Sequence, residues 1–114
     1  MVDHKAGWRI VFYEDHRGHS PVLDFIDHLP IKDQAKINKV FRLLKEFGPS
    51  IGMPHARHLD GDLWELRPGD NRVLYFLFTG KQFVMLHAFH KTTNKTPRSE
   101  IETALRRIKE LREE

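Results

Sequence analysis

Apolar residues follow two different spacings along the chain. Residues 8–13 (WRIVFY) are aromatic and β-branched and predict a strand, broken from Gly18 to Pro21. Val22, Phe25, Ile26 and Leu29 then recur at helical spacing, and Pro30 ends that short helix. Ile37, Val40, Phe41, Leu44 and Phe47 line one face of a longer helix that stops at Gly48-Pro49. The two helices predict a hairpin with one shared apolar seam. Residues 49–62 are rich in Gly, Pro, His and Asp and predict a loop, with room for a short strand near His58-Leu59. Three strands follow at 63–67, 72–79 and 82–90, joined by turns at Pro68-Gly69-Asp70-Asn71 and at residues 79–82. Thr96-Pro97 reads as an N-cap followed by proline at the first helical position. Ile101, Leu105, Ile108 and Leu111 carry the last helix. The order β-α-α-β-β-β-α predicts one α+β domain over residues 1–114, built on a small, mainly antiparallel sheet.

Alternation assigns the strand side chains to faces. With a four-residue turn, Arg67 and Arg72 form a cross-strand pair whose Cβ atoms are about 5 Å apart. Leu63, Glu65, Arg67, Arg72, Leu74, Phe76 and Phe78 then share one face. Trp64, Leu66, Val73, Tyr75 and Leu77 share the other, which is apolar throughout and should lie under the helices. A two-residue loop at Gly80-Lys81 adds Val84, Leu86 and Ala88 to the apolar face. It adds Phe83, Met85, His87 and Phe89 to the arginine face and sets His87 opposite Leu74. A three-residue loop or a bulge swaps these sets and brings His90 to the arginine face. The unbroken apolar set favours the first register. The apolar residues of the arginine face need a cover, either the N-terminal strand region or a partner.

Charge changes this picture. The chain carries a net +3, but residues 67–98 hold six Lys/Arg and one acid, while the remainder holds thirteen Lys/Arg and fifteen acids. That gradient marks either a side that faces a polyanion or ordinary surface scatter. Two like charges across a hairpin are destabilising and call for an offset. Glu65 supplies one in an Arg-Glu-Arg network; a bound phosphate, gripped by guanidinium forks, would supply another. Arg106, Arg107, Lys109 and Arg112 read as a solvated helix face.

Other chemistries find little support. There is no cysteine, so no disulfide or thiolate site is expected, which suits a reducing cytoplasm. No N-terminal apolar run has the length of a signal peptide or a membrane span. His16/His19, His55/His58 and His87/His90 are spaced i,i+3, and on a strand that spacing points to opposite faces, so His87/His90 is a poor chelate. Neither a metal nor a cofactor is expected, and no Gly-rich phosphate loop or nucleophile elbow is present.

The pieces LWELR (63–67), RVLYF (72–76), HAFHKTTNKTP (87–97) and EIETALRR (100–107) together resemble the RelE/HigB-like toxins of bacterial type II toxin–antitoxin systems, in their phage-derived branch. The resemblance runs from Trp8 to Arg107. It implies a RelE-like fold and a cytoplasmic, ribosome-dependent endoribonuclease that cuts mRNA. It also implies neutralisation by a helix-turn-helix antitoxin, and a homodimer or a toxin–antitoxin heterotetramer. The functional positions it implies are Glu65, Arg67, Arg72, His87, Lys91 and Lys95. Ala88 stands where glycine is usual, and Thr92 where many relatives carry a second lysine. The superfamily also includes ParE-like, gyrase-directed members that cleave nothing. A binding-only protein, gyrase-directed or an inactive phage relative, is therefore the alternative.

RNA can be cut without metal when its 2′-OH attacks the adjacent phosphate. The step needs a base, an acid and positive charge on the phosphorane. Arg67 and Arg72 suit the charge role. His87, Lys91, His90 and Glu65, in that order, are candidates for proton transfer. Lys95 and Arg98 are candidates for tracking the RNA backbone.

Overall fold

The computed structural model describes residues 7–113. Strand β1 (Arg9–Phe12) is followed by helix α1 (Pro21–Asp27) and helix α2 (Ile31–Phe47). Four strands come next: β2 (Ala56–Asp60), β3 (Leu63–Leu66), β4 (Asn71–Leu77) and β5 (Gln82–His90). Helix α3 (Arg98–Arg112) closes the chain's described part. The strands form one sheet in the order β1-β5-β4-β3-β2. Only β1 runs parallel to its neighbour, β5, because the α1–α2 hairpin carries the chain from β1 across a sheet face before β2 begins.

Local chemistry explains the helix ends. The Ser20 hydroxyl accepts from the Leu23 N–H at 3.2 Å and Pro21 opens α1. Gly48 ends α2 with φ 57°, and a Cβ there would meet the Trp8 ring at 2.4 Å. Both the backbone and the packing therefore require glycine at this position.

The sheet separates two apolar layers. On one face Val22, Ile26, Ile37, Val40, Phe41 and Leu44 of the helical hairpin pack on Leu66, Val73, Tyr75, Phe83 and Met85. On the other, Ala104 and Ile108 of α3 pack on Leu63, Leu74, Phe76, Val84, Leu86 and Phe89. The arginine face is thus covered chiefly by α3, joined by Val11 and Tyr13 of the N-terminal strand region. Arg107 and Arg112 accordingly are not plain solvated charges. Arg107 donates to the Leu86 carbonyl at 2.8 Å and lies over the Tyr13 ring, and Arg112 lies over Phe76 and donates to Asp62 at 2.6 Å.

Two departures from the expected register cancel. The β4–β5 tip has three residues, Thr79-Gly80-Lys81, with the Phe78 N–H donating to the Gln82 carbonyl. This moves Phe83 and Met85 to the hairpin face and Val84 and Leu86 to the α3 face. A bulge then adds one residue to β5, because Tyr75 pairs with Met85 but Leu74 pairs with His87. From His87 onward the expected pairing is restored. Strand β2, expected mostly as loop, pairs antiparallel with β3 and makes the sheet five-stranded. Its sequence ARHLD lacks an apolar alternation because it is an edge strand. Among the described residues, no helix is long and apolar enough to cross a membrane.

Candidate functional site

Register builds the site. The β3–β4 pairing of Leu66 with Val73 brings Arg67 and Arg72 to the two ends of the Pro68–Asn71 turn. The β2–β3 pairing sets Arg57 opposite Glu65. The loop after β5 folds back on the same region, because the Lys91 N–H donates to the Asp70 carbonyl at 2.8 Å.

At the centre Glu65 is fully buried. Arg57 Nη2 donates to Glu65 Oε1 at 3.1 Å, and the Thr96 hydroxyl donates to Oε2 at 2.5 Å. Arg67 Nε lies 3.8 Å from Oε1, close enough for charge attraction but too far for a hydrogen bond. Arg57 Nη2 also reaches the Asn94 carbonyl at 3.4 Å. The Nε atoms of Arg57 and Arg67 are buried without a hydrogen-bond partner. Two guanidinium groups therefore retain unfilled donors beside a carboxylate that is already occupied.

Arg72 is held differently. It is only 5% exposed, and its Nη1 donates to the carbonyls of Gly69 at 2.9 Å and Asn71 at 2.7 Å. Burial, and next the charge of Arg67, hold its pKa below the ordinary guanidinium value. Arg72 staples the turn that separates it from Arg67. Its charge still adds to the field, so three guanidinium groups surround one carboxylate.

The other expected positions scatter. His87 Nε2 lies 2.6 Å from Glu100 Oε1 and its Nδ1 lies 3.4 Å from Arg107 Nη1, so both ring nitrogens face α3 side chains. The Phe89 ring stacks beside it at 5.7 Å. His90 is exposed, with Nδ1 3.2 Å from Asn71 Oδ1. Lys91 is half-buried and its ammonium donates to Asn94 Oδ1 at 3.5 Å. Lys95 is exposed and lines a groove with Arg57, Asn94 and Thr96. Arg98 is paired with Asp60 at 3.3 Å and Glu102 at 3.4 Å. The structure thus brings Glu65, Arg67, Arg72 and the Lys91–Lys95 loop together, and ties His87 and Arg98 to the helix α3 side. No three imidazole or carboxylate groups among the described residues are placed to hold a metal ion.

Sequence reasoning passed over Arg57 and Thr96. A partial signal for Arg57 was present: Asp60-Gly61 just before LWELR is a strong hairpin dipeptide. Reading back from it reveals a strand before the turn, but the pairing of Arg57 with Glu65 needs a Gly61-Asp62 turn and a register shift between His58 and Asp60 that the dipeptide does not signal. For Thr96 the sequence offered a different job. Helix α3 begins at Arg98 with Pro97 as its N-cap residue, and the Thr96 hydroxyl serves Glu65 instead of capping the helix. The hydroxyl donates to the carboxylate, and its oxygen accepts from Arg57 Nη2 at 3.2 Å, so both its roles are used within the cluster.

The model of the phage-derived Gp49-like protein family matches residues 24–109 of the chain. Two proteins named probable endoribonuclease HigB1, from Mycobacterium tuberculosis strains CDC 1551 / Oshkosh and ATCC 25618 / H37Rv, are each 37% identical over 87 residues. The match covers 73% of this chain and 67% of each relative. Among solved structures, the toxin–antitoxin complex RelBE2 from Mycobacterium tuberculosis is similar at a TM-score of 0.56 and 16% identity, over 75% of this chain and 100% of that one. At that identity the likeness concerns the fold.

Proposed function

The chain belongs to the phage-derived Gp49-like family, and on that footing we propose that it is the toxin of a toxin–antitoxin system, an endoribonuclease that cuts mRNA on the ribosome. The observation that carries this reading is that Arg57 and Arg67 share the single carboxylate of Glu65 and the charge of Arg72 acts on the same group, so positive charge exceeds negative there. Such a cluster is under-neutralised and suits a phosphate, whose oxygens accept from guanidinium forks. The naming of the HigB1 relatives as probable endoribonucleases points the same way.

The chemistry needs no metal. The RNA 2′-oxygen forms a bond to the adjacent phosphorus while the bond from phosphorus to the 5′-oxygen of the next nucleotide breaks. A base takes the 2′-OH proton, and an acid returns one to the leaving 5′-oxygen. Arg67 and Arg57 face the non-bridging oxygens as charge builds there, and Arg72 contributes its field from behind the turn. Glu65 serves to orient the arginines, because both of its oxygens are engaged. Lys91 takes first place for proton transfer, ahead of His90, because the loop that carries it closes on the turn. His87 acts as a tether to α3. Lys95 extends the positive groove along the RNA backbone. Arg98, paired with two acids, contributes least. The partner on this reading is an antitoxin.

The test is brief induction in cells followed by primer extension on cellular mRNA. Wild type should give new 5′ ends within translated messages, and Arg67→Ala should give none while expressing as a folded protein. Growth arrest that survives in an Arg57→Ala/Arg67→Ala double variant would sink the phosphate role. One observation favours a competing, binding-only reading: both ring nitrogens of His87 are already engaged. A DNA-damage response without mRNA loss would select it.

A further inference from the structure

A second basic site adjoins the arginine cluster on the α2 side. A cleft between α2 and the β3–β4 turn is lined by Lys36, Lys39, His55, Arg67 and the backbone of Gly69, and by no acid. Lys36 and Lys39 sit one helical turn apart and both are exposed. No hydrogen bond or ion pair engages either ammonium among the described residues. Gly69 has φ 61°, and a Cβ there would lie 3.2 Å from Lys36 Cδ and 3.5 Å from its Nζ. The bare glycine therefore lets the Lys36 stem lie across the turn, with its ammonium over the cleft. Arg67 is common to this cleft and to the cluster around Glu65.

We infer that this cleft binds the backbone of single-stranded RNA, taking a phosphate next to the one held at the arginine cluster. The inference rests on the reading of that cluster as a phosphate site. Lys36 and Lys39 converge there with Arg67, whose acidic neighbour, Glu65, is shared with Arg57, so the cleft keeps a positive potential that suits an anion. The shared Arg67 makes the two sites continuous, which a single polynucleotide strand fits better than two separate anions. Of the lining residues, His55 presents a ring on which a base can stack, a contact that tolerates any base. The cleft would therefore contribute affinity and direction to the strand and no sequence preference.

The experiment measures binding of the purified full chain to a short single-stranded oligoribonucleotide carrying 2′-O-methyl groups, which cannot be cut. Fluorescence anisotropy is read across a salt series. Lys36→Gln/Lys39→Gln should weaken binding about tenfold and flatten the dependence of log affinity on log salt by about 0.7 per lost contact. Lys45→Gln/Lys109→Gln, the same charge change outside the cleft, should leave both within twofold. Arg67→Ala serves as the arm for the arginine cluster. If Arg67→Ala loses affinity and the Lys36/Lys39 variant does not, the cleft is not an RNA site and the reading of the cluster stands. If the Lys36/Lys39 variant weakens binding but the wild type yields no new mRNA ends in cells, the cleft stands and the nuclease reading falls. Equal losses in the two lysine pairs would mean diffuse attraction and overturn the inference. So would a Lys36/Lys39 variant that binds RNA normally but binds its antitoxin poorly.

Discussion

Glu65 decides much at the scale of single residues. A carboxylate with no exposed surface survives only because Arg57 and Thr96 fill its oxygens and Arg67 lies close. Glu65→Gln should therefore lower stability by about 3 kcal/mol in urea unfolding, since it leaves the arginines uncompensated. Thr96→Val should cost about 2 kcal/mol by stripping one oxygen of its donor, whereas Thr96→Ser should keep most of the stability. A Thr96→Val variant as stable as wild type would mean that the short bond carries nothing. Arg72 behaves unlike its partner across the turn. Because it binds two turn carbonyls from a buried position, Arg72→Ala should unfold about 2 kcal/mol more easily. Arg67→Ala removes charge attraction but no hydrogen bond from Glu65, should cost less, about 1 kcal/mol, and is the cleaner test of phosphate binding. The sequence exposed the pairing of these arginines, since a turn of known length fixes which residues face each other. It could not reveal that the Arg72 guanidinium is spent on the turn carbonyls while that of Arg67 lies half-buried beside Glu65.

Among the elements, the contact between β1 and α3 is the most readily tested. The Tyr13 hydroxyl, just past β1, donates to Glu110 Oε1 at 2.6 Å, while Arg107 covers its ring. That hydrogen bond, then burial, then the Glu110 charge raise the Tyr13 pKa above its usual 10.0. Burial raises that of Tyr75 as well. A raised acid pKa means that the fold favours the neutral phenol. The stabilisation is therefore complete below the unfolded value of about 10 and is lost as pH rises through the folded value. Phenolate absorbance should accordingly appear late in an alkaline titration, and Tyr13→Phe should remove one of the two late steps. An ordinary tyrosine titration in the wild type would contradict this. Ser20→Ala, which removes the α1 cap, should cost about 1 kcal/mol by thermal unfolding. Helices α1, α2 and α3 were legible because a 3.6-residue apolar spacing survives in any tertiary setting. Strand β2 was not, because an edge strand needs neither apolar alternation nor burial on both faces.

The whole molecule is a sheet clamped between a helical hairpin and a C-terminal helix, with one apolar layer on each face. Leu44 belongs to the first layer and Phe76 to the second, and both are fully buried. Each truncated to Ala should cost about 3 kcal/mol. If the sheet couples the layers, both variants should still unfold in one transition, seen alike by far-UV circular dichroism and by fluorescence of Trp8 and Trp64, which pack in the hairpin layer. Two separated transitions in Phe76→Ala would show that the α3 layer melts by itself. At this scale the amino-acid sequence determined the succession of elements, the apolar seam of the hairpin and the pairing of Arg67 with Arg72, all of which depend on short-range spacing. It also carried the family's signature pieces. Only the tertiary structure decided which helix covers the arginine face, that a longer tip loop and a β5 bulge offset each other, and that Arg57 and Thr96 meet at Glu65. Those outcomes join residues far apart in the chain, where burial and hydrogen-bond competition, not local periodicity, choose the partners.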